Sequence, residues 1–447
     1  MNHLRISAHN SNKDSTVSLG SSLCDNIKLT NQLSALLDRA QNDAVVQQLS
    51  LDDSLSADNV LRGVLSPDSL TRTTSSFPQF QRSQQGPASV GYRVIGFGQC
   101  GLVFERPGRN YVLKLAKPSY EDTLWNDFKA HFSVRRAFDL EQNKNIKCRV
   151  PQLFSFVPKD NHEWWQENIP FLPTVHESVP LPAMVLISQR ILPIPKVARQ
   201  ALIDKYCPAL SRALAASNDK NRDCLARVYL GRRRLVNTLS ANFTLRNFNL
   251  HLDQMVEPNL PVKYFASAMG EALAVIHWSA QVDGYDIEFV LGSEGDTTYS
   301  QGISISIGPE LTPQRLAAMK PFTDIESLIK VNFKQRTMRL WTLDFNLCHI
   351  WDTEAALDNP EGVVSHLVMA FFENDPYYPL PLMEHVLYQE LWEIFQGKYL
   401  EKAGLIFSES NVDSRLASLP QKFIDGCVER ERENLLHGRG HGYRETK

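Results

Sequence analysis

A glycine-rich string between two β-rich runs is the feature that most constrains how this chain can fold. The string GFGQCGLV spans residues 96–103 and contains Gly96, Gly98 and Gly101. Glycine lets a backbone approach a ligand closely, and the loop amides can face a phosphate or another anion. A dinucleotide-binding loop of this spacing opens a helix, so the flanking strands exclude that class. A Pro-Gly turn and a third β-rich run with Lys114 follow, which predicts an antiparallel meander; a tight hairpin with a surface lysine is the alternative.

The order of the later elements predicts the fold class. A helix over residues 120–141 follows the meander, and β-like runs at 150–157 and 184–194 come next. The remainder is mainly helical, which is the element order of a protein kinase. We therefore expect an α+β chain with a diverged protein-kinase-like two-lobed fold. In the second lobe, helices are predicted at residues 197–216, 223–239, 245–252 and 264–281 and between 364 and 400. Two β-like runs, at 301–307 and 337–349, interrupt them.

Composition divides the chain into four parts. Residues 1–88 are rich in Ser, Asp, Asn and Gln and lack the apolar density that ordering requires, so we expect a mostly disordered segment with one helix at 27–51. Residues 89–195 form the predicted β-rich N-lobe. The helical C-lobe spans 196–430 with an insertion near 292–338, and 431–447 is a flexible tail.

Carboxylates concentrate where the helix at 264–281 ends. The string VDGYDIEFV contains Asp283, Asp286 and Glu288, and the first and last of these are five positions apart. Kinases space their catalytic-loop Asp and metal-binding Asn in the same way, although here Glu replaces the Asn. The three acids are the candidate catalytic residues. A solvated loop with helix-capping aspartates is the alternative explanation.

Two further segments complete the candidate site. The string LWTLDFN resembles the Asp-Phe-Gly segment of kinases, so Asp344 and Asn346 join the glycines and Lys114 as substrate-binding candidates. The lysine of a kinase pairs with an acid on the next helix, for which Glu121, Asp122 and Asp127 are available. No metal ligand set or cofactor is predicted.

Two clusters of positive charge permit an RNA partner. Such groups contact phosphates, and nearby aromatic side chains can stack on bases, but a charged helix face is the commoner explanation. The candidates are Arg232, Arg233, Arg234, Lys334, Arg336 and Arg339.

Charge, cysteine content and hydropathy limit the remaining function classes. The net charge of −3 supplies no strong field toward nucleic acid or membrane. Seven scattered cysteines without a C-x-x-C pair suggest neither a disulfide framework nor a zinc site. No secretory signal or membrane-spanning run is found, so we expect a cytoplasmic protein without a membrane partner. The oligomeric state is left open.

Taken together, these strings resemble a fungal family of kinase-like proteins, some of whose members are labelled zinc-finger proteins. The chain is similar, within that family, to the arginine-containing cyclodipeptide synthases; no zinc-finger pattern occurs in it. The strings that carry the resemblance are GFGQCGLVFE, YVLKLAKP, LWNDFKAH, IHWSAQVDGYDIEFVLGS, LWTLDFN and AFFENDPYYPLP.

The resemblance implies an aminoacyltransferase that condenses arginine and a second amino acid, both delivered by aminoacyl-tRNAs, into a diketopiperazine. Such an enzyme positions two activated esters, deprotonates an α-amine and stabilises an oxyanion. Among Asp283, Asp286 and Glu288, one acid would serve as base and others would clamp the guanidinium. The alternatives are an ATP-dependent small-molecule or protein kinase, and a catalytically inactive kinase-like binding module.

Overall fold

The computed structural model describes residues 56–72, 91–141, 146–173, 179–234, 243–299, 312–313, 329–409 and 413–438. These residues form an α+β structure with two sheets, as the sequence predicts for the fold class. The predicted helix at 27–51 and the β-like run at 301–307 lie outside the described residues.

The first sheet is antiparallel and has five strands in the order β2-β3-β4-β7-β6. Strand β4 alternates buried and partly buried residues, which is the period-two pattern of a sheet with unequal faces. Helix α2 packs on the sheet through Leu124 and Phe128, which join a small core with Phe156. The elements are β2 Arg93–Phe97, β3 Gly101–Glu105, β4 Tyr111–Ala116, α2 Glu121–Glu141, β6 Leu153–Val157, α3 His162–Asn168 and β7 Val185–Gln189.

The second sheet is mixed and has six strands, with the path β1-β11-β10-β8-β9 and β5 beside β11. Its centre is the long antiparallel hairpin of β10 and β11. The predicted insertion at 292–338 therefore begins and ends as paired strands. The strands are β1 Leu70–Arg72, β5 Cys148–Arg149, β8 Ala226–Tyr229, β9 Phe248–His251, β10 Glu288–Tyr299 and β11 Ile329–Leu343.

The helices of the second half surround one large apolar core. Helix α7 packs closely on α10: a Cβ added at Gly270 would lie 2.4 Å from the carbonyl oxygen of Phe395, so only glycine permits this approach. The helices are α4 Lys196–Tyr206, α5 Arg212–Ser217, α6 Leu252–Val256, α7 Val262–Ala274 followed by a π-helix over Val275–Ser279, α8 Thr353–Asp358, α9 Pro360–Glu373, α10 Val386–Glu409 and α11 Leu419–Leu436.

Two predicted helices are wrong. The segment 223–239 instead contains β8, and 245–252 contains β9. The two strands pair in parallel, so Ala226 lies opposite Phe248 and Val228 opposite Leu250. Burial of these side chains in the sheet outweighs the weak helical preference of the local sequence.

A helix and a strand also form within residues 1–88, which the sequence assigned to a mostly disordered segment. Helix α1, Ala57–Leu65, begins at Ser56, whose side chain accepts a hydrogen bond from the backbone N–H of Asn59. The buried side chains of α1 belong to the large core, and Lys205 of α4 forms an ion pair with Asp58. None of the helices in the described part of the chain combines the length and apolar character that crossing a bilayer requires.

Candidate functional site

Lys114 lies at the junction of three segments that the sequence linked to one site. Its ammonium group on β4 contacts Asp127 Oδ2 of α2 at 2.6 Å and Asp344 Oδ1 at 2.8 Å. Burial alone would lower the pKa of Lys114, but the two carboxylates more than offset it and raise the pKa above its ordinary value. Of the three acids considered on α2, Asp127 is the partner. Two of the three N–H groups of the ammonium group are thus engaged by carboxylates.

The Asp-Phe-Asn segment is fixed beside this lysine. Asp344 has a φ of 66°, a left-handed conformation, and Phe345 is fully buried. The backbone N–H of Phe345 donates to Asp127 Oδ1 at 3.2 Å, and Asn346 Nδ2 lies 3.0 Å from the sulfur of Cys100 in the glycine loop. The segment therefore connects the loop, the lysine and helix α2, as the motif predicts.

The glycine loop closes on itself over the end of β4. The N–H of Gly98 donates to the carbonyl of Gly101 at 2.9 Å, and Lys117 Nζ donates to the carbonyl of Gly98 at 2.6 Å. A Cβ at Gly101 would lie 2.4 Å from the carbonyl oxygen of Leu115, so this position requires glycine. Gly96 is less tight: an added Cβ would lie 3.0 Å from the Cβ of Val103.

Four carboxylates form an acidic cluster, which we define as Asp286, Glu288, Asp344 and Asp375. Glu288 starts β10 and forms an ion pair with Arg227 of β8. Burial raises the pKa of Glu288 to about 7; Arg227 opposes the rise, and the other three carboxylates add to it. A group with that pKa exchanges a proton readily at neutral pH.

The rim of the acidic cluster is exposed to solvent. Asp286 has a φ of 60°. Partial burial raises its pKa, and repulsion from Asp344 and Asp375 adds to the rise. Asp375 accepts a hydrogen bond from the hydroxyl of Tyr229 at 2.6 Å and lies 3.3 Å from Arg227. Asp375 and Tyr229 were not predicted for the site, because the chain separates both from Glu288. Tyr229 is brought near by the pairing of β8 with β10, and Asp375, which follows α9, is held there by Tyr229 and Arg227.

Asp283 has a different environment from the two acids that follow it. The side chain is fully buried, and Oδ1 accepts hydrogen bonds from the backbone N–H groups of Tyr285 at 3.0 Å and His349 at 2.9 Å. Oδ2 lies 3.0 Å from His349 Nδ1 and 2.7 Å from His366 Nε2. Both oxygens of Asp283 therefore have partners within the protein.

The predicted RNA-binding arginines are largely engaged within the protein. Arg336 is only 4% exposed, so this residue cannot reach an RNA phosphate and its assignment is wrong. Arg234 pairs with Asp253 at 2.7 Å, and Arg339 pairs with Glu294 at 3.1 Å. Arg233 lies over the ring of Tyr388, Arg232 is half-buried, and the side chain of Lys334 lies outside the described residues.

Comparison with known proteins matches a limited part of the chain. A family model described as "Zinc finger protein" matches residues 340–411, from the end of β11 to just beyond α10. A search of the curated proteins finds no significant match. The matched region has a single cysteine, Cys348, whereas zinc fingers bind the metal through pairs of Cys and His ligands at short spacings. The described part of this region contains no such set of ligands.

Proposed function

We propose that this chain is an arginine-containing cyclodipeptide synthase, which joins arginine and a second amino acid from aminoacyl-tRNAs into a cyclic dipeptide in secondary metabolism. The observation that supports this most is the acidic cluster. Within the described part of the chain its four carboxylates share two cations, Lys114 and Arg227, so the site favours a positively charged substrate. Aminoacyl-tRNAs are cytoplasmic, and we place the activity there.

A diverged kinase-like fold with two lobes is part of the proposal. Support comes from the five-stranded antiparallel sheet with its glycine loop, and from the pair that Lys114 forms with Asp127 of the following helix. Kinases use a Lys-Glu pair in that position. The shorter Asp127 takes the place of the glutamate here.

The reaction follows from the carboxylates and the lysine. The α-amine of one aminoacyl group attacks the ester carbonyl of the other, and Glu288 accepts the amine proton. The ammonium group of Lys114 donates an N–H to the oxyanion, which collapses and expels the terminal ribose oxygen of one tRNA. That oxygen takes up the proton that Glu288 accepted, so the base is restored for the second step. A second attack closes the ring and releases the other tRNA. Asp286 and Asp375 bind the arginine guanidinium at the rim.

A genuine kinase is the second candidate, because the Lys114 pair with Asp127 and the adjacent Asp344 match the nucleotide-binding parts of that class. One contact disfavours it. Glu288 stands where a kinase has its magnesium-binding Asn, and this side chain is paired with Arg227, which places a positive charge where the ion would bind. A catalytically inactive binding module is the third candidate.

The test is mass spectrometry of the products that the purified protein makes from amino acids, total tRNA, synthetases and ATP. We expect an arginine-containing diketopiperazine that disappears when RNase is added. Absence of this product, together with magnesium-dependent phosphate transfer, would establish the kinase instead. Nucleotide or RNA binding without any product would support the inactive module.

Two variants test the site itself. Asp286→Asn and Glu288→Gln should each abolish product, because the first removes a guanidinium ligand and the second the base. Glu361→Gln is the matched control: this glutamate is exposed on α9, and its ion-pair partner among the described residues is Lys422. Full activity of the double variant at the cluster would refute the site assignment.

A further inference from the structure

Two histidines from distant parts of the sequence converge on one carboxylate oxygen outside the acidic cluster. Asp283 precedes β10, His349 follows β11, and His366 lies on α9. One nitrogen of each imidazole lies within 3.0 Å of Asp283 Oδ2. The three potential ligand atoms all lie within 4.8 Å of one another.

The spacing is close to that of a metal site. Zinc binds His nitrogen and carboxylate oxygen at about 2.0–2.1 Å, and two ligands of a tetrahedral ion at that distance are about 3.3 Å apart. The nitrogen-to-oxygen distances here are 3.0 and 2.7 Å. To admit an ion, the nitrogen-to-oxygen distances would open by about 0.3–0.6 Å. The two imidazole nitrogens lie within 4.8 Å of each other and would close by at most about 1.5 Å.

The ligand carboxylate is already oriented. Its other oxygen is held by the backbone N–H groups of Tyr285 and His349, an outer shell of the kind that fixes metal-binding carboxylates. Val282 and Ile350 form an antiparallel bridge directly beside the ligands, which aligns the two backbone segments. Asp283 is thus preorganised on a pair of segments that hold each other.

Access and ligand chemistry complete the case. The side chains of His349 and His366 are 69% and 38% exposed, while Asp283 is fully buried, so one side of the group opens to solvent. Two imidazoles favour a first-row transition ion over Mg²⁺ or Ca²⁺, which prefer oxygen ligands. We propose that Asp283, His349 and His366 bind a divalent transition-metal ion of the zinc type, with water in the fourth position.

The ion would join helix α9 and the segment after β11 to the residues that lead into Glu288. This site is separate from a zinc finger, since one ligand, Asp283, lies outside the matched residues 340–411. It is also independent of the proposed function, because none of its ligands contacts substrate in that reaction.

The experiment is metal analysis of the full chain after removal of bound ions and dialysis against Zn²⁺, with Co²⁺ as a spectroscopic probe. We expect about one equivalent of metal, a visible Co²⁺ spectrum of tetrahedral type and a raised melting temperature with Zn²⁺. His349→Ala and His366→Ala should each weaken Zn²⁺ binding by more than the roughly 10- to 100-fold that loss of an outer-shell partner costs. Both residues are surface-accessible, so these variants should fold.

Two controls test where the ion binds. His162→Ala removes an exposed histidine on α3 and should leave binding unchanged. The double variant His437→Ala/His441→Ala removes the histidines of the C-terminal tail and should also bind one equivalent of Zn²⁺. Retention of the metal by His349→Ala and His366→Ala, or no binding by the unaltered chain, would overturn the proposal and leave Asp283 as a hydrogen-bonded anchor only.

Discussion

Replacement of Glu288 by Gln should remove activity and, at alkaline pH, stabilise the protein. Glu288 has its pKa raised from 4.5 to about 7, mainly by burial. A carboxyl whose pKa is higher in the folded than in the unfolded chain stabilises the fold while protonated. That stabilisation is complete below pH 4.5 and is lost as the pH rises through 7. Gln resembles the protonated form at every pH.

The size of the effect follows from the shift. A change from 4.5 to about 7, at about 1.36 kcal/mol per pKa unit, corresponds to roughly 3 kcal/mol. Unfolding a chain of 447 residues carries an entropy of about 0.9 kcal/mol per kelvin at about 2.1 cal/mol/K per residue. The melting temperature of the variant minus that of the unaltered protein should therefore be about 3 °C larger above pH 8 than at pH 4.5.

The assay is thermal unfolding of both proteins across this pH range, alongside product formation. The variant should lose about 10²- to 10⁴-fold in rate, the usual contribution of a general base. Glu361→Gln, at an exposed position, should shift the melting temperature equally at both ends of the range. A melting difference between Glu288→Gln and the unaltered protein that does not change with pH would refute the reasoning.

Two further substitutions test the cations of the site. Lys114→Met leaves Asp127 and Asp344 facing each other without a counterion. We expect no product and a loss of about 3 kcal/mol or more in unfolding free energy, measured by denaturant titration. Unchanged stability would contradict this expectation. Arg227→Leu removes the group that lowers the pKa of Glu288, so the acid limb of the pH–rate profile should move above pH 7, and an unmoved limb would contradict the assignment of the base.

Local motifs predicted the part of the site whose geometry the sequence itself encodes. Gly101 lies too close to the backbone of Leu115 for a Cβ, and the loop was predicted from its glycine spacing alone. Lys114 and Asp344 were both predicted for one site because each lies in a string that resembles a known motif; their direct contact was not predicted. Such strings place residues on particular strands, loops and helices, and the packing of these elements brings the residues together.

The partners of Glu288 could not be read from the sequence. Arg227 reaches it because β8 pairs with β10, yet the segment of β8 was predicted as a helix. Its short run of apolar and charged residues is compatible with either structure, and the parallel pairing with β9 decides between them. His349 and His366 also gave no signal, since seventeen positions separate them on different elements.

Asp283 and Glu288, which are five positions apart as in the kinase motif, lie in opposite environments. Asp283 has four hydrogen-bond partners, whereas Glu288 is surrounded by other carboxylates and pairs with one arginine. A motif specifies the positions but not the neighbours that tune a pKa. The roles of the candidate acids therefore follow from the structure.

The raised pKa of Glu288 predicts how proton exchange distinguishes the two candidate activities. A guanidinium that binds beside the acidic cluster stabilises ionised Glu288, so N-acetylargininamide should release protons when it binds at pH 7. ATP with magnesium remains anionic and should cause proton uptake. Calorimetry in buffers of different ionisation enthalpy measures the sign, and Glu288→Gln should abolish the exchange. Uptake with the arginine compound would contradict the assignment of Glu288 as the base, and release with ATP would contradict the electrostatic argument itself.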